Sequence, residues 1–141
     1  MLAACAARFD RCDVFIAVAA VADFRPAERA AQKQAKPDGP RTLELVPTVD
    51  ILQTLAARKR PNQTVVGFAA ETERVLESAR RKLVRKHCDW IVANDVSAPG
   101  IGMEAELNAV MLLARDGRAL PFGPAPKADV ANFILKQVIP H

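Results

Sequence analysis

The chain has 141 residues, half of them hydrophobic and 26% charged, which suits one soluble globular domain with a real core and argues against disorder. Its formal net charge of +4 fits an anionic ligand, but the positives are spread along the chain with few aromatics between them, so nucleic-acid binding is a poor fit. Cys5, Cys12 and Cys88 are odd in number and show no CxxC or CxxH spacing, which supports neither disulfides nor zinc and fits a reducing cytoplasm.

Met1 to Ala7 is apolar but is interrupted by Arg8 and Asp10; it is too short for a membrane span and lacks the basic start of a secretory signal. Residues 2 to 9 read as a helix. The run Val14 to Val21 does not alternate, and its length predicts a central buried strand. Ala22 to Pro26 begin a loop, because proline biases Arg25 away from helix. Asp23 stands either as a turn residue bonding nearby backbone or as a ligand contact at a strand end. Residues 27 to 41, with Lys33, Lys36, Gly39 and Pro40, read as a long polar surface loop and a candidate mobile flap. Leu43, Leu45 and Val46 form a short strand, and Thr48 is a candidate N-cap for a helix from about Val49 to Arg58. The start of that helix offers free backbone N–H groups to an anion.

The stretch from Thr64 to Asp95 organises the rest. Strand Thr64 to Phe68, a basic helix and strand Trp90 to Ala93 form a right-handed βαβ unit of a parallel sheet, since both strands are nearly continuous apolar runs. Ligands bind such sheets at the carboxyl ends of the strands, which here carry Gly67, Phe68, Asn94 and Asp95. On the helix, Leu76, Ala79 and Leu83 form the buried stripe, with Lys82 and Lys86 one turn apart on its flank. From spacing alone these lysines are either part of a solvated face with Arg80, Arg81 and Arg85 or a polyphosphate clamp. Val96 to Asn108 is irregular, with Pro99, Gly100 and Gly102. Ala109 to Ala114 is a further strand, and Asp116-Gly117 turns a hairpin that returns through Arg118 to Pro121. Pro126 opens the last helix, with Val130, Phe133, Ile134 and Val138 inward. The result is a three-layer α/β sheet with an antiparallel hairpin at one edge. The chain has no Walker A sequence, no GxGxxG and no GxSxG elbow, and His87 reads as a helix cap.

The segments AAVADFRPA (19–27), VDIL (49–52), VVGFAAET (65–72), RRKLVRK (80–86) and ANDVS (93–97), with the loop lysines between them, closely resemble bacterial phosphopantothenoylcysteine synthetase. This is the ligase half of the bifunctional coenzyme A biosynthesis flavoprotein. The resemblance runs from about Met1 to Ile139 and implies a Rossmann-like, mostly parallel fold. It implies an enzyme that joins 4′-phosphopantothenate to cysteine with CTP and Mg2+ through an acyl-cytidylate, releasing pyrophosphate and then CMP. By the same resemblance Ala17, Val18, Ala19 and Asp23 line the nucleotide, with Asp23 near the ribose. Lys33 is the loop lysine on the triphosphate and the candidate catalytic cation. Val49, Asp50, Ile51 and Leu52 give the helix-start backbone, Phe68 the cytosine contact, and Lys82 and Lys86 the phosphate-binding helix lysines. No metal ligand is assigned. A cytoplasmic homodimer is implied, with neither nucleic acid nor membrane as partner.

Some departures from the family pattern are mild: Lys33 and Lys36 are the two lysines kept of a richer loop motif, Val49 replaces a proline, and Met103 and Glu106 replace a phenylalanine and an aspartate. The larger departure is that the family's first βα unit, with its glycine-rich turn and an asparagine acting on the acyl-cytidylate, has no counterpart here. Residues 1 to 141 are therefore expected to be a ligase domain lacking its first unit and inactive alone; the alternative is a catalytically inactive nucleotide-binding domain. The flavin-bearing decarboxylase domain is also absent, so FMN is not expected on this chain, and such a domain would be encoded upstream.

Overall fold

The computed structural model describes residues 1–36, 38–71, 74–95 and 105–139. In chain order the elements are α1 (Leu2–Phe9), β1 (Val14–Ala17), β2 (Phe24–Pro26), β3 (Leu45–Pro47), α2 (Ile51–Ala56), β4 (Thr64–Glu71), α3 (Val75–Arg85), β5 (Trp90–Asp95), β6 (Leu107–Ala114), β7 (Ala119–Pro126) and α4 (Lys127–Val138). They separate into two compact units, residues 1–18 with 51–141 and residues 19–50.

The first unit is a five-stranded sheet in the order β1-β4-β5-β6-β7. The β1–β4 and β4–β5 pairs are parallel, and β5–β6 and β6–β7 are antiparallel. Alternation along β4 and β5 sends side chains to both faces, and each face has its own core. On one side α1, α2 and α3 pack Phe9, Leu55, Ala79 and Leu83 against Val65, Ala69 and Ile91. On the other, α4 packs Val130, Ile134 and Val138 against Val66, Val92 and Leu112. This is the expected three-layer α/β architecture with an antiparallel edge.

Several local expectations are corrected. β1 is an edge strand and not a central one, and all four of its residues are half-buried. The absence of alternation reflects helix cover on both faces, which an edge strand of a three-layer sheet shares with a central one. In α3 the buried stripe is Ala79 and Leu83 with Val75 beside it, while Leu76 is 45% exposed. α2 begins at Ile51, so Thr48 lies ahead of the cap position, and its hydroxyl donates to the Ala22 carbonyl. The return strand β7 runs past Pro121 to Pro126; these prolines sit on a sheet edge, where the missing N–H groups cost no ladder bonds. The β6–β7 register shifts between Asn108 and Val110, opposite Gly123 at φ 102, where an added Cβ would fall 2.5 Å from the Asn108 carbonyl oxygen. Only glycine fits there. The Asp116-Gly117 turn forms as expected: the Asp116 carboxylate accepts from the Arg118 N–H at 3.0 Å and from Arg118 Nε at 2.8 Å. The Arg118 backbone N–H is the main reason that the Asp116 pKa is lowered.

The second unit holds β2 and β3, paired antiparallel with Phe24 opposite Pro47, Arg25 opposite Val46 and Pro26 opposite Leu45. Within the loop expected to begin over Ala22 to Pro26, Phe24 to Pro26 are thus a strand, its pairing closed by Ala27 N–H to Glu44 O and Thr48 N–H to Asp23 O. Residues 27–41 carry no strand or helix among those described, in keeping with the polar loop. Pro37, Thr72, and residues 96–104 with the irregular stretch expected there, lie outside the described residues.

Candidate functional site

The two ends of the central strands differ chemically. At their amino ends the polar groups are matched. Asp89 accepts from the Val65 N–H at 2.8 Å and from Lys59 Nζ at 2.7 Å, and the buried Gln63 amide donates to the Phe9 and Cys12 carbonyls at 2.6 and 2.8 Å. These contacts fasten the loop after α2 to α1 and the sheet, and they leave that end closed.

At the carboxyl end, Asn94 is the penultimate residue of β5, paired with Ala70 of β4 and Val110 of β6. Its side-chain carbonyl oxygen is buried and has no hydrogen-bond partner among the described residues. A buried amide oxygen without a donor costs about 1–3 kcal/mol, so the position is one that a ligand donor would satisfy. Asn94 follows Trp90 and Val92 in alternation and so shares the α4 side of the sheet with Phe68, which packs against that core. The register sets Phe68 opposite Val92, one diagonal step from Asn94.

The other side of the same strands carries the cations. Ala17, the last residue of β1, lies opposite Gly67. Leu52 of α2 closes on Gly67 so tightly that an added Cβ would stand 2.6 Å from Leu52 Cδ2 and 2.8 Å from Ile91 Cδ1. The Gln53 amide donates to the Arg85 carbonyl at 3.4 Å, which ties the first turn of α2 to the last turn of α3. Lys82 and Lys86 are half-buried, whereas Arg80, Arg81 and Arg85 are exposed. Exposure thus sets the arginines apart from the lysines on this helix. After Lys86 the helix is closed by His87 N–H to Val84 O and Cys88 N–H to Leu83 O, with His87 at φ 56. That is a Schellman stop, and it accounts for His87 as a backbone cap.

Of the residues expected at the site, Ala17, Val18, Ile51, Leu52, Phe68, Lys82 and Lys86 belong to the sheet unit. Ala17, Leu52 and Gly67 are brought together, while Phe68 stands on the opposite face from α3. Ala19, Asp23, Lys33, Val49 and Asp50 belong to the ribbon unit. There the Asp23 carbonyl accepts from the Thr48 N–H, and Lys33 is exposed. Asn94 is legible in the sequence as a strand-end residue, but its unmet oxygen is not, because that follows from register and cover. No group of three His, Cys, Asp or Glu side chains capable of holding a metal occurs among the described residues.

Residues 1–140 match the DNA/pantothenate metabolism flavoprotein C-terminal domain. The chain is 45% identical over 130 residues to the coenzyme A biosynthesis bifunctional protein CoaBC of Bacillus subtilis (strain 168), covering 92% of this chain and 32% of that protein. It is 44% identical over 143 residues to the CoaBC of Escherichia coli (strain K12), covering 99% and 35%. The crystal structure of a CoaBC C-terminal domain superposes with a TM-score of 0.75 at 38% identity, over 96% of this chain and 58% of that one. The chain thus spans about a third of the length of the curated relatives it matches.

Proposed function

Because the chain belongs to the DNA/pantothenate metabolism flavoprotein C-terminal domain family, we propose that it carries the nucleotide site of a phosphopantothenate–cysteine ligase of coenzyme A biosynthesis. The reaction is ligation of 4′-phosphopantothenate to L-cysteine with CTP. The pantothenate carboxylate attacks the α-phosphate and pyrophosphate leaves. The cysteine amine then opens the acyl-cytidylate, giving the amide and CMP. The first step brings an anion against a phosphate already negatively charged, so positioned cations supply most of the catalysis. Lys33, Lys82 and Lys86 take that role, with the backbone of residues 49–52. Ala17 to Ala19 and Asp23 line the sugar and phosphates, and Phe68 contacts the base. Magnesium would enter as part of the Mg–CTP substrate and would neutralise phosphate charge beside the lysines. The reading carries a cytoplasmic setting and a partner decarboxylase domain. No helix among the described residues is long and apolar enough to cross a membrane.

The observation that carries the reading is the unmet Asn94 oxygen beside Phe68 at the carboxyl end of the sheet. Such an acceptor suits the exocyclic amine of a nucleobase. Calorimetry with CTP and with inorganic triphosphate tests it. Asn94→Ala should weaken CTP binding about tenfold or more and leave inorganic triphosphate unchanged. Equal losses for both ligands, or none for either, would refute the base contact. Production of CMP and amide in equal amounts from CTP, phosphopantothenate and cysteine by the parent enzyme tests the reaction itself.

A further inference from the structure

Helix α3 turns one side to the sheet and leaves two adjacent rows of side chains outside. Ala79 and Leu83 are buried, with Val75, Ser78, Lys82 and Lys86 half-buried beside them. Leu76, Arg80 and Val84 form one exposed row, and Glu77, Arg81 and Arg85 form the next, each at four-residue spacing. Together they cover about 14 Å of helix. Val84 is 69% exposed, more than any other large apolar side chain among the described residues, and Leu76 is 45% exposed. Glu77 is answered by Arg74 at 3.7 Å. Lys82 and Lys86 have partners, whereas the side chains of Arg80, Arg81 and Arg85 make no hydrogen bond or ion pair among the described residues. Helix stability accounts for little of this. A cation in the last turn suits the C-terminal dipole, which covers Arg85 but not Arg80 or Arg81. Arg81 and Arg85 repel one turn apart, and an exposed valine is a poor helix former.

The chemistry of this face narrows the occupant. Unpaired guanidinium groups select carboxylates or phosphates. A nucleic acid would pair its phosphates with the arginines but would give Val84 and Leu76 no apolar surface, and the two rows carry no aromatic ring on which a base could stack. A bilayer needs a broad apolar face, and on α3 that face, with Val75 and Leu83, packs into the sheet core. An acidic helical segment with an apolar residue between its carboxylates meets both demands. Carboxylates at four-residue spacing match Arg81 and Arg85, and the apolar side chain covers Val84.

We propose that the exposed face of α3 binds an acidic amphipathic segment of a partner protein, with carboxylates on Arg80, Arg81 and Arg85 and an apolar side chain on Val84. The inference does not rest on the ligase reading, since it uses only the exposure, pairing and charge of α3. The probe is a fluorescein-labelled helical peptide of about 15 residues with glutamate and leucine on one face, titrated with the full chain and followed by anisotropy. It should bind with a Kd of roughly 1–100 µM at about 50 mM salt and weaken several-fold by about 200 mM. Arg81→Glu combined with Arg85→Glu should remove binding. If charge reversal disturbs the helix, Arg81→Gln combined with Arg85→Gln should still weaken binding about threefold or more. Val84→Ser should weaken it about fivefold, with melting of the sheet unchanged because Val84 lies outside both cores. Lys136→Gln, at an exposed position of α4, should leave binding as it is. A peptide that does not bind, or that binds the Val84→Ser chain as tightly as the unaltered one, would overturn the proposal. So would a loss in Lys82→Gln as large as that in Arg81→Gln, which would put the peptide on the phosphate lysines. Duplex DNA or phosphatidylserine vesicles that bind more tightly than the peptide, and are released by the Arg81 and Arg85 changes, would also overturn it.

Discussion

The sheet unit and the ribbon unit reach order by different routes. In the sheet, β4 and β5 are buried on both faces, and Leu55, Val65, Val66, Val92 and Leu112 have no exposed surface at all. The ribbon unit buries none of its described residues and exposes Val21, Phe24, Leu43, Leu45 and Val49. Among the described residues, the buried apolar core therefore lies in the first.

Core truncation should give the widest contrast. Leu55→Ala removes a side chain with zero exposure and should cost about 2–5 kcal/mol in chemical denaturation, whereas Leu43→Ala, 60% exposed, should stay within about 0.5 kcal/mol. Equal losses at the two positions would mean that the ribbon contributes to the folding unit after all. Gly67→Ala sharpens the same contrast within the sheet. Its new methyl meets the tips of Leu52 and Ile91, and the overpacking should cost about 1–3 kcal/mol. A neutral result would show that α2 moves off the strand without penalty.

The same contrast explains what the sequence discloses. Thr64 to Asp95 is legible because two apolar runs flank a helix of clear period, and a central βαβ unit needs no information from distant residues. The Asp116-Gly117 hairpin is legible from turn chemistry. β1 misleads because cover on both faces removes alternation at an edge as well as at a centre: the strand is half-buried at the sheet edge and ends at Ala17, and residues 18–21 of the same apolar run are exposed. β2 is obscured by Pro26, which marks the start of a loop, and β7 is read short because it continues past Pro121 through Pro124 to Pro126, where a helix start is expected. At the site, the family resemblance marks Phe68, Lys82 and Lys86, while residue types and spacing leave the lysines open between a solvated face and a phosphate clamp. Facing is not visible from them: Phe68 and the lysines lie on opposite faces of one sheet, and Asn94 gains its significance from neighbours two strands wide.

A smaller effect, on ligand binding, comes from removing one cation on the rigid side. Lys82→Gln keeps most of the side chain's length and removes the charge, so the fold should hold while CTP binding weakens by about 1–3 kcal/mol. Calorimetry in the parent protein measures this. An unchanged dissociation constant would remove α3 from the phosphate site and leave the solvated-face reading for its lysines.

The last test reads the responsive side, where the effect is a change of protection and not of global stability. Residues 27–44 join β2 to β3 without helix or strand among those described, are polar, and carry Lys33. Among the described residues, the backbone bond of this loop lies at its base, from Ala27 N–H to Glu44 O. Exchange should therefore be fast without nucleotide. If Lys33 engages the triphosphate, the loop loses freedom on binding, and a loop ordered around an acyl-cytidylate would also keep water from it. Hydrogen exchange followed by mass spectrometry should show slower exchange across residues 27–44 with CTP and little change in β4 or β5, whose amides are already protected. Lys33→Ala should abolish the added protection while sparing binding through Lys82 and Lys86. Equal exchange of the loop with and without CTP would leave Lys33 a surface lysine and confine the nucleotide to the sheet unit.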